Sequence, residues 1–199
     1  MRYGIFGGTF DPPHIGHLIL AAEACSQMSL DRILWVLTPY PPHKARQKIT
    51  PLEHRLEMLQ AAIGNDPLFE VCRVDIDRPA PHYAVDTVNI LHQLFPKAVL
   101  IYLMGGDSLA DLPTWHTPES FLAAVDGLGV MLRPGRQVDL EALEKILPGV
   151  AEKAQILHAP LIEISSSQLR QRINQGLPYR YFFSEMVYDL IREKGLYLD

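Results

Sequence analysis

Two histidines three residues apart, His14 and His17, stand behind a Gly-Gly pair in residues 7–17, GGTFDPPHIGH. Gly7 and Gly8 directly follow a short apolar run, so the chain leaves a strand through residues that tolerate positive φ and let a ligand approach the backbone. Ile15, Leu18, Ile19 and Ala22 then recur along one face of a helix. Asp11 reads as the N-cap of that helix and Pro12 as a residue of its first turn. Free N–H groups and a partial positive charge make a helix N-terminus suited to phosphate. His14 and His17, on one side of the first turn, can donate hydrogen bonds to phosphoryl oxygens as charge builds in a transition state, and Gly16 between them leaves room for a ligand. A single histidine beside an apolar helix is ordinarily packing; a pair at this spacing behind a Gly-Gly turn favours chemistry. Metal binding has less support, because no HExxH pattern or further ligand set accompanies the pair. A carboxylate at Asp11 would repel phosphate, so capping is its expected task. The segment is neither a GxxxxGK[ST] nor a GxGxxG phosphate loop.

Elements that can position such a site alternate along the chain. Strands are expected at 3–6, 32–37, 69–74, 98–104, 129–132 and 155–157, most of them continuous apolar runs of the kind a buried parallel sheet uses. Helices are expected at 15–28, 51–63, 85–94, 118–124, 140–147, 167–174 and 184–193. Thr50, Pro51 and Glu53 satisfy the N-cap, N1 and N3 positions of a capping box for the second helix. The Pro-rich stretch 39–48 is the one conspicuous loop, long enough for a flap. This alternation predicts one α/β domain over 1–199: a Rossmann-like doubly wound parallel sheet flanked by helices, with a small C-terminal helical segment.

Composition narrows the function classes. The chain has 199 residues, 48% of them hydrophobic, and a net charge of −5, which suits one sizeable core and argues against a broad nucleic-acid or anionic-membrane footprint. No apolar run approaches the roughly 18 residues of a membrane span, and the N-terminus lacks the pattern of a leader; a cytoplasmic location is expected. Cys25 and Cys72 form no CxxC pair and are expected to be buried, reduced and inert.

The segment 7–17 resembles the GxFDPxHxGH motif of the adenylyltransferase superfamily that also contains class I aminoacyl-tRNA synthetases. Farther along, PPHK (41–44), GGDSLADLPTWH (105–116), RPG (133–135), ISSSQLR (164–170) and the C-terminal 187–197 stretch are similar, in order and spacing, to bacterial nicotinate-nucleotide adenylyltransferases. The resemblance implies AMP transfer from ATP to nicotinate mononucleotide with Mg²⁺, releasing pyrophosphate. The partners are then two small molecules, for a monomer or a homo-oligomer, with no nucleic acid or membrane involved.

It also implies roles. His14 and His17 would contact the ATP phosphates, His17 at the α-phosphoryl group, while the backbone at Gly8, Thr9 and Phe10 lines the joint between the nucleotides. Lys44 would close over the triphosphate as a point charge. Ser165, Ser166 and Arg170 would form a second anion site at a helix start, with Arg133 near the adenine or phosphate end. Trp115 would stack on the nicotinate ring, and backbone N–H groups near Trp115 and His116, and near Tyr83 and Ala84, would hold its carboxylate. Asp107 would meet a ribose hydroxyl or help place Mg²⁺. The chain departs from the family pattern at His82-Tyr83-Ala84, where many relatives carry Ser-Tyr-Thr, and at His116; both departures fall at the acceptor end. The runner-up within the superfamily acts on nicotinamide mononucleotide or phosphopantetheine, and a noncatalytic nucleotide sensor is the alternative from another class.

Overall fold

The computed structural model describes residues 1–41, 48–132, 138–160 and 162–198. Six parallel strands form one sheet in the order β3-β2-β1-β4-β5-β6: β1 Arg2–Gly8, β2 Arg32–Leu37, β3 Phe69–Cys72, β4 Val99–Gly105, β5 Gly127–Met131 and β6 Ala154–Leu157. From β1 the chain winds outward through β2 to β3, then crosses back to β4 and winds the other way. The order reverses between β1 and β4, and the carboxyl ends of these two strands flank the crevice where doubly wound sheets bind ligands.

The helices among the described residues are α1 Ile15–Gln27, α2 Leu52–Ile63, α3 Ala84–Leu94, α4 Gly106–Ala110, α5 Pro118–Ala124, α6 Leu140–Ile146, α7 Val150–Lys153, α8 Ser166–Asn174 and α9 Glu185–Glu193. Side chains of β2 alternate between the two faces of the sheet. Leu34 and Val36 join Ile5, Leu100 and Tyr102 under α3 and α5. Ile33, Trp35 and Leu37 join Phe6, Ile101 and Leu103 under α1 and α2. Both faces are covered, which is why the strands read as unbroken apolar runs rather than alternating ones. A third cluster packs Met58 and Ala61 of α2 against Leu169, Ile173, Val187 and Ile191 of α8 and α9. This is the expected C-terminal helical segment, and the fold is α/β of the Rossmann-like doubly wound type. No helix among the described residues is long and apolar enough to cross a membrane.

Local expectations needed correction at the loops. The N-cap of α1 is His14, not Asp11. The helix begins only at Ile15, and the Asp11 carboxylate instead accepts from the Tyr197 hydroxyl at 2.7 Å and the Thr50 N–H at 3.3 Å. The capping box at Thr50 does not form: the helix starts one residue later than expected, so Pro51 is the N-cap of α2 and no side chain caps it, and Thr50 just before it offers its carbonyl to Arg55 Nε at 2.8 Å. The expected strand 69–74 stops at Cys72, where the chain turns and the Asp77 N–H bonds the Arg73 carbonyl at 2.9 Å. The 129–132 strand begins earlier, at Gly127. Both cysteines are unbridged and half-buried, with burial pushing their thiols above the ordinary pKa, so each is held as an inert thiol.

Candidate active site

One wall of the candidate site is built by the loop from β1 to α1. At Gly7 the Tyr102 side chain of β4 reaches the β1 backbone: a Cβ placed there would fall 2.5 Å from the Tyr102 hydroxyl oxygen. Phe10 takes a positive φ of 46°, a costly conformation for a bulky residue. It is held there by edge-on packing on Phe6 and His17 and a tilted contact with Trp35.

His14 and His17 occupy the N-cap and third helical positions of α1, and their rings stack with centroids 3.7 Å apart at 27°. The backbone N–H of His14 donates to Nδ1 of His17 at 3.1 Å. That bond decides the tautomer: with Nδ1 accepting, the neutral ring carries its proton on Nε2, so the other edge of His17 is a hydrogen-bond donor. A Cβ at position 16 would lie 3.1 Å from ring atoms of His14, so Gly16 provides the space for the histidine stack.

A second helix start meets this loop. Ser165 caps α8, accepting from the Gln168 N–H at 3.3 Å. Ser166 Oγ donates to the Pro12 carbonyl at 2.9 Å and Arg170 donates to the Asp11 carbonyl at 2.7 Å. The two N-termini, α1 and α8, are therefore bolted to each other through the main chain of Asp11 and Pro12.

Gly7, Gly8, Thr9, Phe10, His14, Gly16, His17, Ser165, Ser166 and Arg170 line one end of a cavity of about 610 Å³, and Tyr83, Ala84, Asp107, Trp115 and His116 line the same cavity. Every site residue expected from sequence that lies among the described residues is thus brought together; Lys44 and Arg133 lie outside them. Trp115 is half-buried, packing on Tyr102 and Phe121 while also lining the cavity. His116 stacks on Tyr83 with centroids 3.9 Å apart at 20°. Tyr83 is the N-cap of α3, which makes α3 a third helix whose N-terminus opens on the cavity. Asp107 lies in the first turn of α4, directly after the carboxyl end of β4.

Residues 5–172 match the model of the cytidylyltransferase-like family. The chain is 44% identical to a "Probable nicotinate-nucleotide adenylyltransferase" of Thermomicrobium roseum, covering 98% of this chain and 91% of that one. A protein of the same name from Thermus thermophilus is 39% identical, covering 99% and 100%. The chain belongs to the cytidylyltransferase-like family, among its nicotinate-nucleotide adenylyltransferases. The fold also matches a Plasmodium falciparum nicotinic acid mononucleotide adenylyltransferase solved with NaAD, with a TM-score of 0.82 at 19% identity over 98% of this chain and 97% of that one. The same Plasmodium enzyme complexed with APC gives a TM-score of 0.78 at 20% identity, covering 98% and 96%.

Of the backbone N–H groups expected to hold the carboxylate in a nicotinate-nucleotide adenylyltransferase, that of Trp115 donates to the Leu112 carbonyl at 3.0 Å. The N-terminus of α3, at Tyr83 and Ala84, opens on the same cavity. Arg78 holds that N-terminus in place, donating to the carbonyls of Pro81 at 2.9 Å and Tyr83 at 3.2 Å while pairing with the buried Asp75 at 2.9 Å. His82 next to it is 5% exposed; burial chiefly, and Arg78 in addition, lowers its pKa against the opposing pull of Asp75, so its neutral form is favoured. Arg78, Tyr102, Arg55 and Tyr197 were given no role from sequence, and His82 entered only as a departure from the family pattern. Of these, Arg55 carried a signal: a lone charge three residues after Leu52 and three before Met58, within the apolar stripe of α2.

Proposed function

We propose that this cavity transfers AMP from ATP to nicotinate mononucleotide, forming nicotinate adenine dinucleotide and pyrophosphate. The observation that carries the reading is the single cavity with phosphate-attracting helix starts at one end and an aromatic, anion-accepting acceptor end at the other. Its volume suits substrate-sized ligands, which occupy pockets of roughly 300–1,000 Å³. The names of the relatives and the NaAD in the Plasmodium structure support the same reaction.

An oxygen of the acceptor's 5′-phosphate attacks the α-phosphorus of ATP in line. The new P–O bond forms as the bond to the bridging oxygen breaks, and pyrophosphate leaves with the bonding pair. Alignment and charge stabilisation suffice, with no covalent nucleophile. His17 donates from Nε2 to an α-phosphoryl oxygen, with His14 beside it. Ser165, Ser166 and Arg170, at the start of α8, receive the β,γ-phosphates. Lys44 supplies a further point charge over the triphosphate and Arg133 one near the adenine or phosphate end. Gly8, Thr9 and Phe10 line the joint between the nucleotides. Mg²⁺ enters as part of the substrate MgATP, with Asp107 placed to meet the ion or a ribose hydroxyl; among the described residues no group of three or more His, Cys, Asp or Glu forms a metal cage.

At the acceptor end, Trp115 and the Tyr83–His116 stack take the flat nicotinate ring. The N-terminus of α3 favours a carboxylate over an amide, because its free N–H groups and partial positive charge attract an anion. The test is a paired assay with nicotinate mononucleotide and nicotinamide mononucleotide, each with excess MgATP, following the dinucleotide by HPLC and pyrophosphate release. The acid is expected to be the preferred acceptor. No product from it refutes the reading, and no pyrophosphate with any nucleotide acceptor favours a sensor.

A further inference from the structure

Arg55 is 2% exposed, and its guanidinium donates to four main-chain carbonyls. Nε reaches Thr50 at 2.8 Å, one terminal nitrogen reaches both Thr9 at 3.0 Å and Thr38 at 2.9 Å, and the other reaches Pro39 at 2.8 Å. These carbonyls lie on three stretches of chain: the loop after β1, the residues just after β2, and the residues just before α2. The last two are the two ends of the segment joining β2 to α2.

Asp11 and Tyr197 form the other half of the assembly. The carboxylate of Asp11, 3% exposed, accepts from the Tyr197 hydroxyl at 2.7 Å and the Thr50 N–H at 3.3 Å. Tyr197 has a φ of 67°, a conformation that persists only where surroundings over-determine it. Burial and the Asp11 charge raise its pKa, so it stays a phenol and a donor. An apolar side chain could occupy position 55 at a smaller desolvation cost, but only a planar fork of donors gathers carbonyls from three loops.

Resting on the AMP-transfer reading, we propose that Arg55 and Tyr197 are positioning residues of the reaction: with Asp11 they lock the loop carrying Thr9 and Phe10 to both ends of the β2–α2 segment. Neither side chain lines the cavity; both act through the backbone that does. Displacement of that loop moves the joint between the two nucleotides, where a misplacement of about 1 Å can lower a rate about 10²-fold.

The experiment compares Arg55→Lys and Tyr197→Phe with the wild type by steady-state kinetics and by hydrogen–deuterium exchange. The lysine variant keeps the charge but loses the fork, and the phenylalanine variant loses one hydroxyl and little volume. For folded Arg55→Lys, kcat is expected to fall about 10²-fold with both KM values within about threefold, and for Tyr197→Phe about tenfold. Exchange is expected to accelerate at residues 8–11, 38 and 48–50 while β5 and β6 keep wild-type protection. Wild-type kcat in folded variants, or acceleration spread evenly over the chain, overturns the proposal. Should Arg55→Lys fail to fold, Tyr197→Phe decides by the same two measurements. Exchange is read without turnover, so an inactive wild type would refute the AMP-transfer reading while the exchange data still decide whether these residues position the loop.

Discussion

The His17 ring makes two separable bonds, and two substitutions can divide them. Nδ1 accepts the His14 N–H at 3.1 Å, a capping-type bond that ties down the start of α1, and Nε2 carries the proton proposed to stabilise the α-phosphoryl charge. The side-chain oxygen of Asn matches the position of Nδ1 and the amide nitrogen of Gln matches that of Nε2. His17→Asn therefore keeps the cap and loses the donor. Removing one preorganised donor costs about 10²–10³ in kcat, or about 2.7–4 kcal/mol, while stability should hold to within about 0.5 kcal/mol. His17→Gln retains a donor near the right place and loses the cap, a loss of about 0.5–2 kcal/mol. For a chain of this size that lowers Tm by about 2–4 °C per kcal/mol, with turnover above that of the Asn variant. His17→Ala loses both. The assays are pyrophosphate release at saturating MgATP and acceptor, and calorimetric Tm. Turnover in His17→Asn within about threefold of wild type would refute the donor role. If Asn and Gln were equally inactive and equally stable, the division of labour between the two ring nitrogens would be wrong.

Other perturbations probe the walls of the same cavity. Gly7→Ala drives a methyl to 2.5 Å from the Tyr102 hydroxyl, whose ring is wedged edge-on against Phe121 and Trp115. A loss of about 1–3 kcal/mol is expected, and Tyr102→Phe in the same chain should restore part of it; additive losses in a denaturation cycle would contradict the contact. Trp115→Ala should raise the acceptor KM several-fold and leave ATP affinity near wild type; an unchanged acceptor KM leaves Trp115 with core packing alone. His82 is favoured neutral in the fold, its pKa lowered from 6.5 by burial first. As pH falls below 6.5 the unfolded chain takes up the proton before the folded one does, so His82 makes stability decline with falling pH between 6.5 and its lower folded pKa. His82→Gln should flatten Tm against pH across that window, and an unchanged slope would assign the acid sensitivity elsewhere.

The sheet was legible because burial on both faces leaves unbroken apolar runs, and residues 32–37 became β2 without a shift at either end. The site was legible wherever its chemistry comes from residues close in sequence, as at 7–17 and 164–170. Bonds between distant segments were not. Thr50, Pro51 and Glu53 satisfy every local requirement of a capping box, yet the Thr50 N–H is claimed by Asp11 and its carbonyl by Arg55. Asp11 looks like a cap for the same reason, since no local rule announces a tyrosine at the far end of the chain. The five-residue α4 is too short for helical periodicity to register, although it carries Asp107 to the cavity wall. Arg55 was hidden because an arginine within an amphipathic stretch ordinarily lays its stem along the apolar stripe and keeps its head in water.

With a net charge of −5, a chain that takes two phosphate-bearing substrates works against its own overall field. The distances resolve this. At physiological ionic strength, exposed charges are screened beyond about 8 Å, so the overall acidity contributes little where the ligands sit. The cavity is lined by the starts of α1, α3 and α8, each presenting N–H groups with no helical partner, and by Arg170, with Asp11 and Asp107 the acidic residues among its lining. Helix termini are positive without adding to net charge, and they need no reorganisation as a transition state forms. They are also fixed by the fold rather than by flexible side chains: α1 and α8 are joined through Asp11 and Pro12, and α3 is held by Arg78. In the proposed mechanism the positions that set where helices begin therefore act alongside the point charges of Lys44, Arg133 and Arg170, which is why a Gly-Gly turn and a serine pair said more about activity than the balance of charges did.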